Sequence, residues 1–309
     1  AARGSMSEAA LAALRSGETA AAATLPAADD ADDAQLTLWC LFELHHRGFD
    51  DVADELEWDP HLIALRRRLE DELEQQLRER APEPPAPGDF AEDFFAFIAA
   101  HDGPSAAAHL QRSATKEQAL QFLRHKSIYT LKESDHTTWT IPRLSYPVKA
   151  AVVELQYDEY GGGDPHRLHA NLFATGLAAS GVSAEYGAHI DEAPAEVLMQ
   201  NNVMSLFGLN RRLRAASLGF LAAFEATSSA PSRRIARGLE RLGFPPEMIG
   251  YYTEHVEADA VHEQLAVRTV CGTLLEQEPE QHENVWFGAW TALHVEDLYG
   301  ERMLAQWTA

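Results

Sequence analysis

The chain has 309 residues, 46% hydrophobic and 24% charged, a balance that fits a soluble globular protein of one large or two ordinary domains. Its formal net charge of −23, with no long basic run to offset it, argues against nucleic acid and anionic membranes as partners. A run of about 18 apolar residues, the minimum for a membrane-spanning helix, is absent, and two cysteines, Cys40 and Cys271, fit a reducing cytoplasm better than a disulfide framework.

Ala1-Ala2-Arg3-Gly4-Ser5 ahead of Met6 reads as a cloning remnant. Residues 7–33, rich in Ala and closing on Ala-Ala-Asp-Asp-Ala-Asp-Asp, read as a short helix and a mobile connection. Residues 1–33 are therefore set apart from a single helical domain over 34–309. Helical periodicity begins near Gln35, with Leu36, Leu38, Leu41, Phe42 and Leu44 on the apolar side, and Gly48 stops it. Pro60 opens the next helix, which carries Leu62, Ile63, Leu65, Leu69 and Leu73. The Pro-rich stretch 81–88, Ala-Pro-Glu-Pro-Pro-Ala-Pro-Gly, is the clearest linker and is read as a connection inside the one domain.

Thr115 and Gln118 have the spacing of a capping box and start a helix reaching about Glu133. Pro147 starts another that runs to Tyr160. Gly161-Gly162-Gly163 interrupts it, and Pro165 sits at the first position of a continuation through Leu177. Pro194 begins a helix through Leu206, and one from about Asn210 to Thr227 follows. Pro231 and Pro245-Pro246 mark two further starts, the last running to about Glu276, and an aromatic helix with Trp286, Phe287, Trp290 and Tyr299 closes the chain. Strand-like alternation is absent, so the fold class is all-α, six to ten helices in a bundle.

The strongest local feature is His255-Val-Glu-Ala-Asp259-Ala-Val-His262. At 100° per residue, Asp259 lies about 40° from His255 and His262 about 20° from it on the other side, so all three leave one helix face. Imidazole and carboxylate together suit Fe, Mn or Zn better than Mg or Ca, although a solvated polar face has the same spacing. Glu225 is a lone carboxylate in Leu218-Gly-Phe-Leu-Ala-Ala-Phe-Glu225-Ala. Buried there unpaired, it would lose its charge unless a cation or an arginine met it. Glu133 ends a helix where Glu is usually solvated, Glu159 is not separable by periodicity from Asp158 and Glu154, and a lone helical His such as His169 is more often hydrogen-bonded than a ligand.

Jointly, Lys132-Glu133-Ser-Asp-His136, Asp158-Glu159-Tyr-Gly-Gly-Gly followed by His169, Phe224-Glu225-Ala-Thr-Ser-Ser, and His255-x3-Asp259-x2-His262 resemble the haem-oxygenase-like diiron oxidases, often called iron-containing redox enzymes. The likeness extends upstream into Phe42-Glu-Leu-His-His-Arg-Gly-Phe49 and Glu57-Trp-Asp-Pro60, and so covers nearly the whole chain. It implies a haem-oxygenase-like helical bundle without haem, with two Fe ions, Fe2+ in the resting reduced form, held by Glu133, Glu159, His169, Glu225, His255, Asp259 and His262. It further implies O2 as co-substrate, an external reductant or electron donor, and an amino-acid-like small-molecule substrate. The first expectation for the reaction is C–H cleavage leading to desaturation, cyclisation or hydroxylation in natural-product biosynthesis. N-oxygenation of an amine or amino acid, and oxidative decarboxylation of a fatty acid, are the alternatives.

Other classes remain open at this point. An iron-binding or storage protein is the non-enzymatic alternative, although ferritin-like chains usually carry two Glu-x-x-His motifs. Haem oxygenase needs an axial His, thiaminase-type relatives a nucleophilic Cys, and a manganese or Mn/Fe pair would suit the same donors. Arg214, on the Glu225 helix and ~16 Å along its axis, is a candidate for a substrate carboxylate. A homodimer is left open.

Overall fold

In a computed structural model the chain is described over residues 1–256 and 262–309. In chain order the helices are α1 (Ser5–Ser16), α2 (Ala31–Glu43), α3 (Pro60–Arg80), α4 (Phe90–Ala100), α5 (Ala106–Arg112), α6 (Lys116–Thr130) and α7 (Asp135–Thr138). They continue as α8 (Tyr146–Glu159), α9 (His169–Ala179), α10 (Ala195–Leu209), α11 (Arg214–Arg241), α12 (Pro246–Gln264), α13 (Gly272–Gln277) and α14 (His282–Trp307). Among the described residues there is no strand, and no helix is long and apolar enough to cross a membrane. The all-α expectation holds. The helical segments outnumber the six to ten expected because several are one or two turns long, below what periodicity resolves.

Two compact units divide the chain: Ala1–Arg80 with Ala193–Leu206, and Ala81–Glu192 with Phe207–Ala309. The change at residue 81 falls at the Pro-rich stretch that the sequence reading kept inside one domain. In the first unit, Leu62, Leu65, Leu69, Leu73 and Leu77 are all buried, the three-and-four spacing of one face of α3. The N-terminal segment is packed rather than loose, and the reason is Asp33. Its carboxylate accepts hydrogen bonds from the amides of Met6 (3.1 Å), Ser7 (2.7 Å) and Asp29 (3.1 Å), tying the start of α1 to α2. Burial opposes the Asp33 charge, but these donors outweigh it and lower the pKa. The Phe42–Phe49 and Glu57–Pro60 motifs form a second tie. His45 pairs with Glu57 at 3.1 Å and with Arg66, and Asp59 caps α3 by accepting from the His61 and Leu62 amides.

The second unit is built on α11, which packs against α5, α12 and α14. A helix break was expected between Thr227 and Pro231, but α11 runs through it. The hydroxyl of Thr227 bonds the Ala223 carbonyl at 2.7 Å, and that of Ser228 bonds the Phe224 carbonyl, so polar side chains occupy the turn before the proline. Two glycines set how closely α11 and α14 approach. A Cβ on Gly219 would lie 2.0 Å from the Val285 carbonyl oxygen, and one on Gly288 1.9 Å from that of Ala216. Similarly, a Cβ on Gly176 of α9 would lie 2.8 Å from Met248 Cα of α12.

Gly219→Ala or Gly288→Ala should therefore lower the Tm, by overpacking that typically costs about 1–3 kcal/mol or more. Gly250→Ala, on α12 with open space around it, should raise stability by about 0.5–1 kcal/mol through helix propensity alone. Thermal denaturation of the three variants checks the contrast.

Candidate metal centre

Six of the seven residues expected from sequence converge inside the second unit. Glu133 lies in the turn after α6, Glu159 is the last residue of α8, and His169 is the first of α9. Glu225 sits in α11, and His255 and His262 in α12. The seventh, Asp259, lies outside the described residues. All six are buried.

Local sequence explains how two of them meet. Helix α9 starts at His169 rather than at Pro165, and the intervening residues reverse the chain. Gly161, Gly162 and Gly163 all have positive φ, which a side chain would strain, and a Cβ on Gly161 would come within 2.5 Å of the Leu168 nitrogen. The triple glycine is thus a close-approach turn, and it brings Glu159 Oε2 to 3.0 Å from His169 Nδ1. Ser134, next to Glu133, has φ 69°, the one positive φ at a non-glycine among the described residues. Its hydroxyl donates to Glu159 Oε2 at 3.1 Å. Such a backbone costs on the order of 1–3 kcal/mol and is held by its surroundings.

The donors form two triples, Glu133–His169–His255 and Glu159–Glu225–His262, each with its donor atoms within 4.8 Å of one another. In the first, His255 Nε2 is 3.6 Å from Glu133 Oε1. In the second, His262 Nδ1 lies 3.5 Å from both Glu225 Oε2 and Glu159 Oε1. Glu159 therefore stands between the triples, with one oxygen toward His169 and the other toward His262. An outer layer orients the rings. His255 Nδ1 donates to the Tyr251 carbonyl at 2.8 Å, Tyr251 donates its hydroxyl to Glu133, and His262 Nε2 lies 3.4 Å from Asp158 Oδ2.

Without a cation, this much buried carboxylate draws protons. Burial reinforced by the Glu159 charge raises the Glu225 carboxyl, although His262 opposes it. Burial works against a charged imidazole, but Glu225 and Glu159 outweigh it and lift His262 to about 9. Burial is likewise outweighed at Glu159, which the neighbouring histidines lower, and at His169, which Glu159 raises. Burial, then the charges of Glu133, Glu159 and Glu225, push the Tyr129 phenol well above its ordinary value, so it stays protonated beside all three acids. Two buried ring nitrogens, His169 Nδ1 and His262 Nδ1, face carboxylate oxygens without an aligned hydrogen bond. Three acids and three imidazoles with in-facing nitrogens fit a pair of divalent transition-metal ions by charge and donor type.

Arg214 does not join them. It opens α11, pairs with Glu278 and bonds the Arg211 carbonyl at 3.4 Å, so its guanidinium is engaged ~16 Å along the helix from Glu225. Tyr251, Ser134, Asp158 and Tyr129 were not expected from sequence. Each was within one turn or one residue of a named donor, but nothing in residue type separates such partners from solvated neighbours.

Metal binding should release protons at neutral pH, because His262 is then protonated in the free protein. Calorimetric Zn(II) titrations in buffers of different ionisation heat should show this release shrinking as pH passes about 9. His262 gains affinity for its proton on folding, so its contribution to metal-free stability is full below its ordinary value of 6.5 and is lost as pH rises through about 9. The metal-free Tm should fall across that window.

No curated protein matches the chain. A CADD-like protein of unknown function from Nostoc punctiforme is 16% identical, with a TM-score of 0.53 over 78% of this chain and 99% of its own, a likeness that shows the fold. Residues 120–297, more than half of the chain and all six described donors, match the family described as iron-containing redox enzyme. The chain belongs to the iron-containing redox enzyme family, with the all-α, haem-oxygenase-like fold.

Proposed function

We propose that the chain is a non-haem diiron, O2-dependent oxidase or oxygenase of an amino-acid-like small molecule. The observation that carries this reading is the placement of Glu159 between two buried triples, one carboxylate oxygen toward each. Glu133, His169 and His255 would hold one ion, and Glu159, Glu225 and His262 the other, with Asp259 added from the sequence pattern. Bound iron would supply the electrons that O2 reduction needs, and an external reductant would restore Fe2+.

The chain's own residues account for the rest. Three buried carboxylates offset most of the charge of two divalent ions, while the imidazoles donate without adding charge. Burial of all six donors keeps bulk water from the centre and strengthens electrostatic interactions there. Tyr129 retains a phenolic proton close to the three acids. The amino-acid-like substrate, C–H cleavage and a natural-product role are carried into this reading from the sequence resemblance of the donor series alone. With Arg214 engaged by Glu278, no residue is nominated for a substrate carboxylate.

The test is anaerobic Fe(II) loading, then O2, against a panel of amino acids, amines and fatty acids, following O2 uptake and product masses. Uptake that depends on one substrate class supports the reading. Uptake stoichiometric with iron and indifferent to every compound means iron storage instead. Glu225→Ala and His255→Ala should each reduce bound iron from two ions per chain and lower turnover beyond the ~10- to 100-fold typical of changes to groups that merely orient ligands. Chelation should abolish turnover and Fe(II) restore it.

A further inference from the structure

We propose that Tyr251 is a positioning residue for the Glu133–His169–His255 half of the centre, fixing two of its three donors from one turn of α12. The inference rests on the metal reading above but concerns a residue outside the donor set.

Glu133 stands in a turn rather than on a helix, so regular backbone does not fix its direction. The Tyr251 hydroxyl reaches it from α12, 3.1 Å from Oε1 and 2.9 Å from Oε2. A carboxylate has about four lone-pair directions, so one phenolic donor orients it and leaves acceptor capacity for a cation. The same residue sets His255. Its main-chain carbonyl accepts from His255 Nδ1 at 2.8 Å, which places the ring proton on Nδ1 and leaves Nε2 with its lone pair, 3.6 Å from Glu133 Oε1.

Packing holds Tyr251 itself. Its ring centre lies 4.4 Å from that of His255 and 5.0 Å from that of Phe173, one turn beyond His169 on α9. The rings of His169 and His255 are in turn 4.6 Å apart. Tyr251 thus contacts the carboxylate by its hydroxyl, one imidazole by its carbonyl, and the helix of the other through Phe173.

Tyr251→Phe removes only the hydroxyl, keeping the carbonyl and the ring. Co(II) titration of the metal-free full chain, read by visible absorbance and by competition with a chelator, separates the two ions. In Tyr251→Phe one of the two Co(II) affinities should fall by about 10- to 100-fold, with an altered visible spectrum for that ion and an unchanged far-ultraviolet circular dichroism. Tyr252→Phe removes an equally buried hydroxyl from the adjacent residue and should leave both ions and both spectra as in the wild type. Wild-type affinities and spectrum in Tyr251→Phe overturn the proposal. So does an equal loss at both ions accompanied by a lower metal-free Tm, since that marks a purely structural hydroxyl. A wild-type protein that fails to take up two Co(II) ions overturns the metal reading first, and is told apart because it appears before any substitution.

Discussion

Three carboxylates buried in two neighbouring triples impose the condition that the rest of the second unit satisfies. Each would lose several kcal/mol of hydration if left charged and alone. Here the compensation comes from His169 on α9 and His262 on α12, whose affinity for protons is raised where cations would otherwise sit. The opposite pKa displacements of Glu159 and Glu225, two acids of the same triple, follow from position: Glu159 is beside histidines on two sides, while Glu225 meets His262 at 3.5 Å and has Glu159 as a like-charged neighbour. A divalent pair would serve all three acids at once. Metal binding would therefore be coupled by charge to the integrity of this region.

Meeting that condition requires helices held at fixed spacing. Backbone approaches at Gly219, Gly288 and Gly176 bring α11 against α14, and α9 against α12, more closely than any side chain would permit. Glu225 is thereby placed on the best-anchored element, a long helix carried through Pro231 without interruption. Glu133, by contrast, depends on a strained serine and on neighbours. Rigid elements and adjustable turns thus contribute to one cluster.

The sequence revealed the helical class, and the family resemblance named six residues that the structure brings together, because helical spacing and an ordered residue series are one-dimensional patterns. Periodicity alone does not separate Glu159 from Asp158, since neighbouring acids on a helix end differ only in which one turns inward; in the structure Asp158 is half exposed and lies beside the outer nitrogen of His262. The sequence misleads at the N-terminal segment because the tie is a single buried carboxylate, Asp33, inside an acidic run that looks solvated. Pro231 reads as a helix start because the hydroxyl contacts before it are not visible in composition. The triple glycine reads in sequence as an interruption of the helix, whereas three positive φ values make it a specific reversal.

That reversal has a kinetic meaning. Glu159 and His169 are ten residues apart, so their meeting requires closing only a short loop, an event of roughly 10–100 ns in a flexible chain. Every other pairing in the two triples joins distant segments or depends on the formation of α12, and carries a larger loop entropy. Among the contacts that join two elements of the cluster, Glu159–His169 thus closes the shortest loop and costs the least chain entropy.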